Sequence, residues 1–204
     1  MSVNHHLAEA QRAVRAGNRD QARTHFETVL TIDGEEPTAR NWLGADALAR
    51  ADAQAAATHF DIACARQPRE RSRWINLATA RRALGDAEEE RSALDHALAI
   101  DQTDLLVLIR LAELHERLGE ESLAAERWTA VITLSANIKN PSPEFADILR
   151  HANDFVGKQQ LKLVAAVEEA MAPDLAEASA RDRRRMRTAA DAWLGKRPIY
   201  TNHC

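Results

Sequence analysis

The chain has 204 residues, of which 45% are hydrophobic, 28% are charged and only 4% are aromatic. This composition is typical of a globular or solenoid protein with ample apolar surface to bury, and its many alanines favour helices over a β-sandwich. The net charge of −4 at pH 7 is too small to indicate a class of partner.

The sequence predicts neither a membrane span nor a secreted protein. Its longest apolar run, residues 105–109, falls far short of the roughly 18 residues that a transmembrane helix needs. The N-terminus has no basic start and no apolar core, so we expect no secretory signal. Cys64 and Cys204 do not make a disulfide framework, and a reducing cytoplasm is the expected location.

Similar residues recur along the chain at a spacing of 34 residues. Four such series are in register: Gly17, Ala51, Gly85 and Gly119; Phe26, Phe60, Leu94 and Trp128; Ala10, Gly44, Ala78 and Ala112; and Val29, Ala63, Ala97 and Val131. A fixed period of this length is the signature of a repeat protein. We therefore place four units, at residues 3–36, 37–70, 71–104 and 105–138.

The second unit, residues 37–70, shows the pattern most clearly. Its apolar residues recur at helical spacing, break at Ala51 and resume, which predicts a helix, a short turn and a second helix. The other three units carry glycine at this turn, where a left-handed backbone is easily adopted, so Ala51 predicts a tighter or slightly strained turn. Gly44 and Ala56 are small and predict a close approach of the two helices beside Phe60.

These units resemble the tetratricopeptide repeat. The matching residues of the second, third and fourth units are Leu43, Gly44, Ala47, Ala56, Phe60, Ala63 and Pro68; Trp74, Leu77, Ala78, Gly85 and Ala97; and Leu108, Leu111, Ala112, Gly119, Ala124, Trp128 and Val131. Glu9 and Glu90 depart from the pattern, where Leu and Ala are usual. The first indicates an atypical N-terminal repeat, and the second places the packing of the third unit's second helix in question.

The resemblance implies an all-α fold for residues 3–138. It is a right-handed superhelical solenoid of about four helix pairs, with a concave groove lined mostly by the first helix of each pair. Residues 139–195 are predicted to form helices that cap its C-terminal end, beginning at an N-cap on Ser142 and starting again at Pro173. Residues 196–204 are predicted to be an extended tail that would begin a further, missing domain.

A second resemblance concerns the C-terminus. The Arg-rich segment ending in residues 193–195, followed by residues 197–200, is similar to the region ahead of the catalytic domain in bacterial aspartyl/asparaginyl β-hydroxylase-like proteins. Those proteins are dioxygenases that depend on 2-oxoglutarate and iron. Because the dioxygenase domain itself is not present, no catalytic residue is assigned, and we do not expect this chain to be an enzyme.

Candidate binding residues are those that the resemblance places on the concave side of the first helices. They are Asn41, Trp42, Ala45, Ile75, Asn76, Thr79, Arg82, Arg110, Glu113 and Arg117. A Trp flanked by Asn, Thr and Arg could give a peptide apolar contact and hydrogen bonds to its backbone. The alternative is that Trp42 packs on the neighbouring repeat and the polar side chains are only solvated.

The carboxylate clamp that some family members use to hold chaperone C-termini is not expected here. Asn76 and Arg110 match its pattern, whereas Asn41, Ala45 and Leu106 stand where two lysines and an asparagine would be needed. With most of the positive charge missing, a terminal carboxylate would be held poorly.

Nucleic acid is not the expected partner of the Arg-rich segment either. The Arg-rich segment contains Arg181, Arg183, Arg184, Arg185 and Arg187. It has no interleaved aromatic residues, and on a helix these side chains would spread over several faces, as on a solvated or interdomain surface. If the segment did bind nucleic acid, the affinity would depend steeply on salt.

No metal, cofactor or catalytic site is expected. His25 and His59 occupy the same repeat position and so lie one repeat apart, while the terminal pairs at residues 5–6 and 203–204 supply too few ligands. No phosphate-binding loop, nucleophile elbow or carboxylate pair is found. The predicted function is therefore a scaffold that binds protein or peptide in its groove. The alternative is the non-catalytic N-terminal region of a hydroxylase-like dioxygenase, presenting substrate to a catalytic domain or supporting it.

Overall fold

The computed structural model describes residues 2–177 and 180–195, with side chains described for residues 2–171 and 182–192. The described chain is helical and contains no strand. Its helices are α1 (Val3–Arg15), α2 (Arg19–Ile32), α3 (Pro37–Ala49), α4 (Ala53–Arg66), α5 (Arg71–Leu84), α6 (Ala87–Ile100), α7 (Leu105–Arg117), α8 (Glu121–Ser135), α9 (Pro143–Glu177) and α10 (Ala180–Gly195). None of the helices described is both long enough and apolar enough to cross a membrane.

The first eight helices form pairs, and each pair is joined by a turn with a left-handed residue. Gly17, Gly85 and Gly119 have φ angles of 74°, 76° and 71°, as predicted for this position. Ala51 adopts the same conformation, with φ of 60°. The turn in the second pair is therefore not tighter than the others, and the side chain of Ala51 makes it the strained one.

Within the second pair, Gly44 of α3 faces the ring of Phe60 in α4. A β-carbon added at Gly44 would lie 2.7–2.9 Å from three ring atoms of Phe60, closer than side chains pack. Phe60 is fully buried, as is Ala56. The close approach predicted between the helices is thus an approach of the α3 backbone to an aromatic ring, and it accounts for glycine at this position.

The first and second pairs share a continuous core. Its buried members are Ala10, Ala13, Ala22, Phe26, Val29, Ala39 and Leu43. Trp42 of α3 packs against this cluster and stacks on Phe26 of α2, with the ring centroids 4.8 Å apart. A single helix pair cannot cover its own apolar face, so each pair is stabilised by its neighbour.

The two departures from the repeat pattern are accommodated in different ways. Glu9 is partly exposed and accepts a hydrogen bond from Arg12, one turn later, at 2.6 Å. Glu90 is only 2% exposed, yet α6 runs without interruption from Ala87 to Ile100. The second helix of the third pair therefore forms as predicted for a repeat, and it packs with the carboxyl group of Glu90 buried.

Contacts between residues divide the chain into two compact units, Met1–Arg110 and Leu111–Cys204. The boundary falls within α7. The division into a repeat region at 3–138 and a cap at 139–195 stays a prediction.

The second unit has Trp128 of α8 at its centre. This side chain is 1% exposed, and its indole N–H donates to the carboxylate of Glu116. His151 of α9 meets the same carboxylate oxygen at 2.9 Å and lies edge-on to the Trp128 ring, with centroids 5.4 Å apart. The Glu116 carboxylate of α7 thereby links α8 to α9, and the aromatic contact joins α8 and α9 directly.

The C-terminal helices confirm one sequence prediction and correct another. The Ser142 hydroxyl accepts the Phe145 N–H at 3.2 Å, so α9 begins at the predicted N-cap. The prediction that Pro173 starts a new helix is wrong, because α9 passes through Gly157 and Pro173 and ends at Glu177. A proline removes one backbone N–H from a helix, which can kink the helix without ending it. The predicted extended tail, residues 196–204, lies outside the described residues.

Candidate functional site

Side-chain hydrogen bonds bridge α3, α5 and the beginning of α7 in the first unit, and the surface that carries Asn41, Asn76 and Arg110 is called the inner face below. Asn76 of α5 donates a side-chain hydrogen bond to the Asn41 carbonyl oxygen of α3 at 3.1 Å, and both side chains are partly buried. These residues are 35 positions apart in the chain. The structure thus brings together two of the side chains that the sequence assigned to a groove.

A second link joins α5 to α7. The Arg110 guanidinium donates to the Thr79 hydroxyl oxygen at 2.7 Å and to the backbone carbonyl of Ile75 at 3.3 Å. The Thr79 hydroxyl in turn donates to the Ile75 carbonyl at 2.9 Å. Both bonds from Arg110 use one terminal nitrogen, and a guanidinium has five N–H groups. The side chain is therefore held in place while retaining donors for a ligand.

The remaining predicted residues are distributed less simply. Trp42 is partly buried, and Phe26 of the preceding repeat stacks on one face of its ring. That face agrees with the alternative in which Trp42 packs on the neighbouring repeat. Ala45 is exposed one turn after Asn41 on α3, and Arg82 is exposed near the end of α5. Glu113 is partly buried and Arg117 is exposed. Both belong to the second unit and are not assigned to the inner face of the first.

Both residues that match the carboxylate clamp are engaged within the protein. Asn76 is bonded to Asn41, and Arg110 is bonded to Thr79. The clamp position at Leu106 is an exposed apolar side chain. The inner face therefore presents amides and a braced guanidinium, and its chemistry suits backbone hydrogen bonding better than capture of a terminal carboxylate.

A buried acidic residue, Asp46, was not identified by the sequence analysis. Its carboxylate, 1% exposed, accepts hydrogen bonds from Arg23 at 2.8 Å, Arg19 at 3.0 Å and Arg50 at 3.2 Å. The hydrogen bond from Arg23 is the main cause that lowers the pKa of Asp46, and burial opposes it. Only Arg50, four residues later at the C-cap of the same helix, could have suggested this cluster from the sequence.

A second missed feature is a pair of histidines in the first helix pair. The Nδ1 atoms of His6 in α1 and His25 in α2 are 3.4 Å apart. Exactly one repeat later, Arg40 and His59 meet in the same way, with Arg40 3.3 Å from the Nδ1 of His59. The 34-residue spacing shows that the two pairs occupy equivalent positions, but not that the residues within each pair, 19 positions apart, are in contact.

The Arg-rich segment lies on α10. Arg183, Arg184, Arg185 and Arg187 are all exposed, while the side chain of Arg181 lies outside the described part of the chain. The prediction that this segment does not bind nucleic acid stays a prediction. Across residues 2–177 and 180–195, no three His, Cys, Asp or Glu side chains converge as a metal site.

The second unit contains an open groove of about 620 Å³ between α8 and α9. Its lining includes Ala125 and Thr129 of α8 and Val156 of α9. Lys162 donates to Glu121 at its edge at 2.7 Å, and this bond is the main cause that lowers the pKa of Glu121. Glu126 also lines the groove, so the lining carries two acidic side chains and one lysine.

No protein-family model matches the sequence, and no curated protein does. Solved structures match it by fold. A structure of MamA is 13% identical with a TM-score of 0.63, and the match covers 98% of both chains. A chain of the APC/C hetero-tetramer Cut9–Hcn1 is 21% identical with a TM-score of 0.60, over 74% of this chain and 30% of that one. The TPR2B domain of yeast Sti1, solved as a complex with pHsp70, is 21% identical with a TM-score of 0.51, over 58% of this chain and 96% of that domain.

At these levels of identity the likeness shows the fold. The chain is an all-α solenoid of helical repeats, and the proteins that share this fold include repeat proteins of the type that the sequence resembles.

Proposed function

From this tetratricopeptide-repeat fold, we propose that the chain is a protein-interaction scaffold that holds an extended peptide on the inner face of its first unit. The surface is formed by Asn41 and Ala45 of α3, by Asn76 and Thr79 of α5, and by Arg110 of α7. The observation that carries the proposal is the pair of side-chain bridges between adjacent first helices, Asn76 to Asn41 and Arg110 to Thr79.

These bridges prepare the surface for a peptide backbone. An asparagine side chain has two N–H donors and one carbonyl acceptor, so the bond between Asn76 and Asn41 leaves a free amide donor on Asn41 and a free carbonyl oxygen on Asn76. An extended peptide exposes N–H and C=O groups that could bond to both. Because the side chains are already held by the fold, less rotamer freedom is lost when a ligand binds.

A solved structure of similar fold includes a bound partner. The TPR2B domain of Sti1 was solved in complex with pHsp70, and stacked helix pairs create the extended concave surfaces that repeat proteins use for binding. We propose the same class of ligand, a peptide, for this chain. The residues that hold it would differ, because Asn41 and Ala45 replace the clamp side chains.

The test blocks the inner face with a substitution at an exposed position, which leaves the buried core unchanged. Ala45→Glu adds a long charged side chain at an exposed position one turn from Asn41. Ala65→Glu is the matched control, an identical change at an exposed position on α4, the second helix of the same pair. A displayed library of random peptides is selected on the unmodified chain, and the enriched peptides are then titrated against all three proteins.

We expect the enriched peptides to bind the unmodified chain and the Ala65→Glu variant equally and to lose most of their affinity for Ala45→Glu. Circular dichroism and thermal melting should be the same for both variants. Equal binding by all three proteins would place the peptides elsewhere and reject the inner face as the site. Failure to enrich any peptide would reject peptide binding by this chain.

The alternative function stays a second proposal. It assigns the chain to the non-catalytic N-terminal region of a hydroxylase-like dioxygenase, and its support is the sequence of residues 193–200. The measurement is the natural reading frame beyond Cys204. A following domain with iron-binding histidines and an arginine for 2-oxoglutarate would make substrate peptides of that enzyme the ligands to test, and any other continuation would remove this alternative.

A further inference from the structure

The imidazoles of His6 and His25 face each other across the first helix pair. Their ring centroids are 5.7 Å apart and their Nδ1 atoms are 3.4 Å apart. Both side chains are partly buried and remain accessible to solvent. A neutral imidazole has one nitrogen with a lone pair that can bind a metal ion.

The separation of the two nitrogen atoms matches that in a metal site. Tetrahedral Zn²⁺ binds imidazole nitrogens at about 2.0–2.1 Å, which places two such ligands roughly 3.3–3.4 Å from each other. The observed distance of 3.4 Å falls in this range. A hydrogen bond between the two rings also fits this distance, and a metal ion bound to both nitrogens would take the place of that bond.

We propose that His6 and His25 form a two-histidine site for a divalent metal ion such as Zn²⁺ or Cu²⁺. The bound ion would link α1 to α2. Imidazole is a preferred ligand for both ions. No group of three His, Cys, Asp or Glu side chains suited to a metal occurs in the residues described. The protein therefore supplies two ligands, and water completes the coordination.

The second repeat provides an internal control. Arg40 stands 34 residues after His6, and His59 stands 34 residues after His25. A terminal guanidinium nitrogen of Arg40 lies 3.3 Å from the Nδ1 of His59. The second repeat therefore has the same arrangement as His6 and His25, except that one partner is a cation. A guanidinium is not a metal ligand and repels a divalent ion. The second repeat should therefore bind no metal.

The experiment titrates the full chain with ZnCl₂ alone and with CuSO₄ alone, using MgCl₂ as a reference. Calorimetry gives the affinity and stoichiometry, and the melting temperature gives an independent measure. An ion that binds only the folded chain raises the melting temperature. His6→Ala and His25→Ala should each weaken binding by at least about tenfold, since loss of a group that merely orients a ligand has effects of that size. Both should also abolish the rise in melting temperature.

His59→Ala is the matched control, and we expect it to bind Zn²⁺ as the unmodified chain does. Arg40→His should add a second equivalent of bound ion, which is a gain that loss of folding cannot imitate. In the unmodified chain, binding should weaken as the solution is made acidic, because metal ions bind only unprotonated imidazole.

Three results would overturn the proposal. They are no response of the unmodified chain to Zn²⁺ or Cu²⁺, an undiminished response in His6→Ala or His25→Ala, and an unchanged stoichiometry in Arg40→His. The second result would mean that other side chains hold the ion.

Discussion

The carboxylate of Asp46 is 1% exposed and is held by three arginine side chains, two of which belong to the preceding helix, α2. A buried charge is tolerated only when it is paired and hydrogen-bonded. Asp46 therefore links the first and second helix pairs by charge at a place where their apolar residues also meet. The three arginine side chains are 27–57% exposed, so removal of the acid would leave them partly solvated.

We expect Asp46→Asn to lower the free energy of unfolding by about 2 kcal/mol. The value lies below the roughly 3–5 kcal/mol found when both partners of a broken pair are buried, because the arginines here reach water. Urea denaturation measures the change. Asp20→Asn is the matched control, since the Asp20 carboxylate also binds Arg23 but is 90% exposed, and we expect a change of no more than about 0.5 kcal/mol. Similar values for the two variants would contradict this account.

The same carboxylate predicts a dependence of stability on acid. The hydrogen bond from Arg23 lowers the pKa of Asp46 in the folded chain, so the unfolded chain binds a proton more readily. The stabilisation is complete above the ordinary carboxyl pKa of about 4 and is lost as the pH falls through the lower, folded value. Urea midpoints measured from neutral to acidic pH should fall more steeply for the unmodified chain than for Asp46→Asn. Parallel curves would show that Asp46 does not contribute.

At the scale of the helix pair, the backbone conformation of the connecting turn decides which residue type is best tolerated there. Gly85 and Ala51 occupy the same position in successive pairs and share a left-handed backbone, with φ of 76° and 60°. A β-carbon at Gly85 would meet no atom within 4 Å. Any effect of adding one there must therefore come from the backbone conformation and not from a clash.

We expect Gly85→Ala to destabilise the fold by about 1 kcal/mol and Ala51→Gly to stabilise it by a similar amount. Gly157→Ala should have the opposite sign to Gly85→Ala. Gly157 lies inside α9 with no atom within 4 Å of an added β-carbon, and alanine there gains up to about 1 kcal/mol of helix propensity. Thermal and urea unfolding measure all three. If both Gly→Ala changes had the same sign, backbone conformation would not be the cause.

At the scale of the whole molecule, the helices differ in how much they are packed. α4 buries Ala56, Ala57, Phe60, Ala63 and Cys64. In α10, by contrast, every described side chain from residue 182 to residue 189 is exposed. An isolated helix of this length is marginal in water. Local stability should therefore vary widely along the chain.

Hydrogen exchange measures that variation. We expect the amides of α10 to exchange at least about a thousandfold faster than those in the middle of α4, which open only with the global unfolding of about 5 kcal/mol or more. The control is a repeat at tenfold lower protein concentration, which removes protection due to self-association. Equal protection of α10 and α4 at both concentrations would contradict the exposure seen in the structure.

Much of the architecture depends on interactions between residues that are close in the sequence, and these can be predicted from the sequence. The 34-residue series predicted the helix pairs and the left-handed turns at Gly17, Gly85 and Gly119, because helical periodicity and the conformational freedom of glycine act over a few residues. The same rules failed at Pro173. There a proline predicts the start of a helix, whereas α9 continues through it.

The sequence by itself determined an all-α chain of repeated helix pairs, because period, turn residues and apolar spacing are local properties. Tertiary structure alone decided which polar side chains meet: Asp46 with Arg19 and Arg23, and His6 with His25. These partners are 19–27 residues apart and lie on different helices. Their contact depends on the angle and rotation at which two helices pack, which is set by apolar surfaces and by close approaches such as that of Gly44 to Phe60.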